Sequence, residues 1–275
     1  MVNTSALNAG NLLLLLKMMD VGINRSPRIM EKRKIRDILV KEIKSQIKGK
    51  KQERLLDSLD MNKIKRDYKT KPGKASMEIN SVGETAFQRA IFLSRKSKIN
   101  FNSKKEILWK DLELPVVFTK NSRRNCVDLI GNIGNQLVIC ELKFMKNTSS
   151  DSPWYAVLEL LIYYYIILEN CNKLDDEEVY HENIQGRFKW KSILSPNPLL
   201  MVVANERYWN CWLEKQENAY RSKLLKWLKG LNKELQTEVF LIKTIDVDFD
   251  DQKRRASGKA YLPEIKSHIW KKISV

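Results

Sequence analysis

Three residues carry the chemistry that this sequence can do: Asp128, Glu141 and Lys143, all within Asn125-Cys-Val-Asp-Leu-Ile-Gly-Asn-Ile-Gly-Asn-Gln-Leu-Val-Ile-Cys-Glu-Leu-Lys143. If Gly134-Asn135 forms a two-residue hairpin turn, positions whose numbers sum to 269 face each other, and Asp128 and Glu141 are such a pair. Their β-carbons are then roughly 4.5–5.5 Å apart, and alternation along the strand puts Lys143 on the same face. Both strands are otherwise apolar, at Val127, Leu129, Ile130, Val138, Ile139 and Cys140, so a facing pair of carboxylates has no packing rationale and should repel. A divalent cation resolves the repulsion. Two carboxylates and a backbone carbonyl, that of Leu142, supply the hard oxygen ligands that Mg2+ or Mn2+ takes, with positions left for water and a phosphate oxygen. Lys143 then orients or helps deprotonate the attacking water and stabilises charge developing on phosphorus. The chemistry expected is hydrolysis of a phosphodiester.

The elements around these residues must hold them in place. Ser81 with Glu84 at the third position forms an S-x-x-E capping box ahead of Phe87, Ile91 and Phe92, which predicts a helix running to about Lys96. Strands are expected at Leu114 to Thr119, Cys126 to Gly131 and Gln136 to Phe144. Pro153 opens a strongly apolar helix through Leu168 whose all-round hydrophobicity implies deep burial. After a polar stretch from Asn172 to Ser195, a buried strand is expected at Leu199 to Ala204, a basic helix at Cys211 to Leu235 and a last strand at Glu238 to Val247. The order of helices and strands points to a mixed α/β sheet flanked by helices.

The signature Asp128, then Glu141-Leu142-Lys143, resembles the D…(D/E)xK motif of the PD-(D/E)XK nuclease superfamily, and the element order is similar to that superfamily's α-β-β-β-α-β core. The resemblance covers about residues 80 to 206 and implies a restriction-endonuclease-like fold. It also implies a magnesium- or manganese-dependent nuclease acting on DNA, with catalytic residues Glu84, Asp128, Glu141 and Lys143. Glu84, in Val82-Gly-Glu-Thr-Ala-Phe-Gln88, matches the acidic residue that many members present to the metal from their first core helix. The implied metal ligands are Asp128, Glu141, the Leu142 carbonyl and Glu84. Glu159-Leu-Leu-Ile-Tyr163 looks like the QxxxY pattern of some branches, with Glu in place of Gln. Val127 stands where the family's proline is usually written, a departure that removes no catalytic group.

Other readings stay open beside these. Glu84 could serve only its capping box, or both roles together. Glu159 fits a buried partner of Lys143 or the metal shell as well as a structural ion pair. Tyr155, Tyr163, Tyr164 and Tyr165 read as core aromatics. Arg123, Arg124 and Lys146 are candidate phosphate contacts or plain loop charges. Trp212 and Trp227, interleaved with Lys215, Arg221, Lys223, Lys226 and Lys229, read as core before they read as base-stacking platforms.

The chain has 275 residues, 43% apolar and 30% charged, with 50 Lys and Arg against 33 Asp and Glu for a net charge of +17. That length suits one α/β core with additions, and the charge favours a polyanionic partner. The expected organisation is a basic helical N-terminal extension over 1–74, a nuclease core over 75–250 and a C-terminal tail over 251–275. Residues 31–74 hold 16 Lys or Arg against 7 Asp or Glu, with Ile35, Ile38, Leu39, Ile43 and Ile47 at helical spacing. Cys126, Cys140, Cys171 and Cys211 form no CxxC pair, and His181 and His268 are the only histidines. An ordinary zinc site is therefore not expected, and reduced thiols in a cytoplasmic protein are. The run Leu12 to Leu16 is too short to span a bilayer. DNA is the expected partner, with homodimers or a larger nucleoprotein complex open and no membrane involvement. A catalytically inactive nuclease-fold subunit that binds nucleic acid is the rival. A third reading is an interaction protein whose basic helices meet an acidic partner.

Overall fold

The computed structural model describes residues 84–94, 96–100, 104–116, 125–145, 151–176, 190, 198–214, 218–235, 238–244 and 269–273. The 1–74 extension, Arg123, Arg124, Lys146, and both histidines lie outside them.

The chain runs through α1 (Glu84–Leu93), β1 (Lys96–Asn100), β2 (Lys104–Val116), β3 (Asn125–Ile133), β4 (Gln136–Lys143) and α2 (Pro153–Asp176). Then come β5 (Leu199–Asn205), α3 (Glu206–Trp209) with a π-type turn over Asn210–Glu214, α4 (Asn218–Leu235), β6 (Glu238–Thr244) and β7 (Ile269–Lys272). The expected mixed α/β sheet flanked by helices is present. β1 to β4 are joined antiparallel, while β4, β5 and β6 lie parallel. The α2 crossover makes the parallel β4 and β5 pair possible, since parallel neighbours cannot be joined by a hairpin.

Several boundaries differ from expectation. β2 begins at Lys104 rather than near Leu114, and β1 was not expected at all, because Lys-Ser-Lys-Ile-Asn has no apolar alternation. The helix expected over Cys211 to Leu235 is represented among the described residues by the π-type turn to Glu214 and by α4, with α3 as an additional short helix before it. The expected tail contributes β7, which pairs parallel with β1 and antiparallel with β6 and so joins the two ends of the sheet into a ring. Trp270 is buried there against Trp109, ring centroids 5.5 Å apart.

Alternation divides the sheet into two packed faces. Leu137 and Ile139 of β4, with Leu200, Val202 and Ala204 of β5, lie in the core under α2 and α4. Val138, Cys140 and Leu142, with Met201 and Val203, face Phe87, Ile91 and Phe92 of α1. Every described side chain of α2 from Tyr155 to Leu168 is buried apart from Glu159. Ser152 caps it, accepting from the Tyr155 amide at 3.3 Å, and Pro153 at its first position needs no backbone partner. Gly131 is required by a close approach: a β-carbon there would stand 2.8 Å from the Leu108 carbonyl and 2.9 Å from the Trp109 ring.

Candidate active site

The β3–β4 hairpin turns at Gly134, at φ 56°, and its register is the expected one: Ile133 opposite Gln136, Ile130 opposite Ile139, Leu129 opposite Cys140. Asp128 and Glu141 are the next pair in that register. The paired ladder stops one rung before them, because β3 stays with β2 as far as Val116↔Asn125 while β4 stays with β5 as far as Lys143↔Ala204. The strands splay at this point, and a cleft of about 370 Å3 opens between them, lined by Glu84, Asp128, Glu141, Lys143, Asp151, Glu159 and Tyr163 among others. Glu141 and Lys143 continue the row of Leu137 and Ile139, on the face that α2 covers.

Each splayed group is held by a specific partner. Asp128 Oδ2 accepts the Leu142 amide at 2.7 Å, taking the place of a rung. Because a strand residue turns its N–H and C=O toward the same neighbour, the Leu142 carbonyl lies on this edge of β4 too, while its side chain is buried in the opposite core. Glu84, at the start of α1, accepts the Phe144 amide at 3.0 Å. One turn later Gln88 donates to the Asp128 carbonyl at 2.7 Å and to its Oδ1 at 3.4 Å. Asn205, at the end of β5, brackets the backbone of Met145, donating to its carbonyl at 2.9 Å and accepting from its amide at 3.1 Å. The chain leaving β4 is thus fixed on both sides.

Lys143 is buried and donates to Glu141 Oε1 at 2.7 Å and to Glu159 Oε2 at 3.1 Å. Tyr163, one turn further along α2, donates to Glu159 Oε1 at 3.2 Å. The second oxygen of Glu141, Oε2, is buried without a hydrogen-bond donor, although the residue is only 3% exposed. An orphaned carboxylate oxygen in a buried position is costly unless something electropositive meets it.

The electrostatics follow from burial. Glu141 is pushed well above the usual carboxylate range by burial and by Asp128, against the pull of Lys143. Asp128 is likewise pushed well up, by burial and then by Glu84, and Glu84 is raised mainly by burial. Burial alone would lower the Lys143 ammonium, but Glu141, Glu159, Glu84 and Asp128 outweigh it and hold the group well above its ordinary range. Of the described residues lining the cleft, six are carboxylates and Lys143 alone is basic.

Glu84, Asp128, Glu141 and Lys143 are therefore brought together, with the Leu142 backbone beside them. Gln88, Glu113 and Asp151 also line the cleft and were not singled out from the sequence. Helical spacing four residues after Glu84 was the available signal for Gln88. Among the described residues, no group of three His, Cys, Asp or Glu side chains is arranged to hold a metal ion; Asp128, Glu84 and Glu141 turn instead toward backbone amides or the Lys143 ammonium. The donor set still fits a hard cation, since carboxylate and carbonyl oxygens predominate and Glu141 Oε2 has no donor. In comparisons with protein-family models, curated proteins and solved structures, nothing matches the chain.

Proposed function

We propose that this protein is a divalent-metal-dependent nuclease of the PD-(D/E)XK type, with a restriction-endonuclease-like core, hydrolysing phosphodiester bonds, most readily in DNA. One observation carries the reading: Asp128, Glu141 and Lys143 line one cleft where β3 and β4 separate, and Glu141 keeps a buried oxygen without a donor. Among the described lining residues six carboxylates stand beside one lysine, an acidic excess that a bound cation would offset for a phosphate to enter.

Asp128 and Glu141 would hold Mg2+ or Mn2+, with Glu84 and the Leu142 carbonyl within reach of the same space. The bound ion would neutralise charge on a phosphate oxygen and make a water more acidic. Lys143 keeps its ammonium charged between Glu141 and Glu159 and so presents a fixed positive charge to the phosphate. Glu159, itself held by Tyr163, prevents Lys143 from collapsing wholly onto Glu141. Gln88 fixes the backbone and side chain of Asp128 together. α2 keeps bulk water from the inner wall of the cleft.

The test is a cleavage panel of single-stranded, duplex, branched and RNA substrates with and without magnesium. Magnesium-dependent cleavage by the wild type that disappears in Asp128→Ala supports the proposal, and undiminished cleavage in that variant overturns it. Isothermal titration with magnesium separates the nuclease from an inactive nucleic-acid-binding scaffold, which would bind no metal.

A further inference from the structure

We propose that the exposed face of α4 is a docking ridge for the phosphate backbone of a duplex nucleic acid, an inference that rests on the reading above for its polyphosphate substrate. α4 buries Leu224, Leu225, Leu228, Leu231 and Leu235. Lys226, Lys229 and Lys233 project from the opposite side and are exposed. These spacings of three and four residues place the three ammonium groups in one stripe. No ion pair among the described residues engages any of the three.

The dimensions suit a duplex. From Lys226 to Lys233 the helix advances about 10 Å at about 1.5 Å per residue. The phosphates of one strand rise about 3.4 Å per step along the duplex axis, so a stripe lying along that axis covers the height of about three steps. The ridge is also tied to the cleft. Trp227, beside Lys226, packs on Trp154 with ring centroids 4.6 Å apart. Trp154 lies in the first turn of α2, three residues after Asp151 of the cleft lining. Trp227 is thereby engaged in packing, and the lysines next to it are the groups left for a ligand. The described lining of the cleft is acidic, and the ridge supplies the attraction for a polyanion that this lining lacks.

The experiment uses the full chain in EDTA, where cleavage does not intervene, and measures fluorescence anisotropy of a labelled DNA duplex of about 20 base pairs over a series of salt concentrations. If the stripe contacts three phosphates, the triple variant Lys226→Gln, Lys229→Gln, Lys233→Gln should bind at least tenfold more weakly at low salt. Its slope of log affinity against log salt should be shallower by about 2.7, at about 0.9 per phosphate lost. The control Lys271→Gln, Lys272→Gln changes exposed charges on β7 and should leave the slope unchanged. An unaltered slope in the triple variant, or an equal loss in the control, overturns the ridge while leaving the nuclease reading intact. Failure of the wild type to bind duplex at any salt also overturns the ridge, and the nuclease reading is decided by the separate cleavage panel. Magnesium-dependent cleavage can still fail in the separate panel when the ridge is upheld, so the two proposals fall independently.

Discussion

Asp128 meets two opposed demands. It must be ionised to serve as a metal ligand, yet burial and the neighbouring Glu84 favour its neutral form, which can still accept the Leu142 amide. Asp128→Asn should therefore abolish cleavage, by about a thousandfold or more, and at the same time stabilise the metal-free protein at pH 8 by about 1 to 2 kcal/mol. Denaturant unfolding in EDTA measures the second effect, and a loss of stability would contradict it. The same raised values set a pH trend. A carboxyl group whose folded pKa lies above its unfolded one stabilises the fold below the unfolded value, and that stability is lost as pH rises through the folded value. Metal-free protein should thus lose stability as pH climbs from the ordinary carboxylate range toward neutrality, and Asp128→Asn should flatten the curve. The placing of Asp128, Glu141 and Lys143 together was legible in the sequence because strand alternation and a glycine turn are local rules. Gln88 was harder to see, since an uncharged residue on an amphipathic helix gives no chemical signal. Glu113 was out of reach: its place in the cleft depends on a bulge between Trp109 and Asp111 and on its own φ of 51°.

The hairpin turn and the splay beyond it decide where the site forms. β3 and β4 separate because each has a stronger continuing partner on its outer side, so the cleft is a property of the whole strand order rather than of the hairpin sequence. That explains why pairing was expected to reach Asp128 and stops at Leu129. The close packing of β2 on β3 can be tested at Gly131, where an added methyl group would meet the Leu108 backbone. Gly131→Ala should cost about 1 to 3 kcal/mol, read from denaturant midpoints. α2 was visible in sequence through its unbroken apolar run, and its one acidic residue between Pro153 and Leu168, Glu159, marked the wall facing Lys143. β1 and β7 were not visible, since short strands rich in lysine carry no alternating pattern and form only when distant segments complete them.

At the scale of the molecule, the proposed reading would divide the labour between the acidic cleft, which would bind the ion, and the lysine stripe of α4, which would attract the substrate. A cation that binds only the folded chain should stabilise it by about 2.7 kcal/mol at a hundredfold excess over its Kd, a rise in Tm of about 5 to 11 °C for a domain of this size. Calorimetry with and without magnesium checks this, and Asp128→Asn should remove the increment. The strand ring closes through β7 by three paired positions on β1 and two on β6. Such a narrow seam, far from the hairpin in strand order, is where the barrel should part first under thermal fluctuation. Amide protons of β7 should therefore exchange with deuterium well before those of β4, so that the wall can breathe at one side while the carboxylates and ammonium of the other keep their geometry.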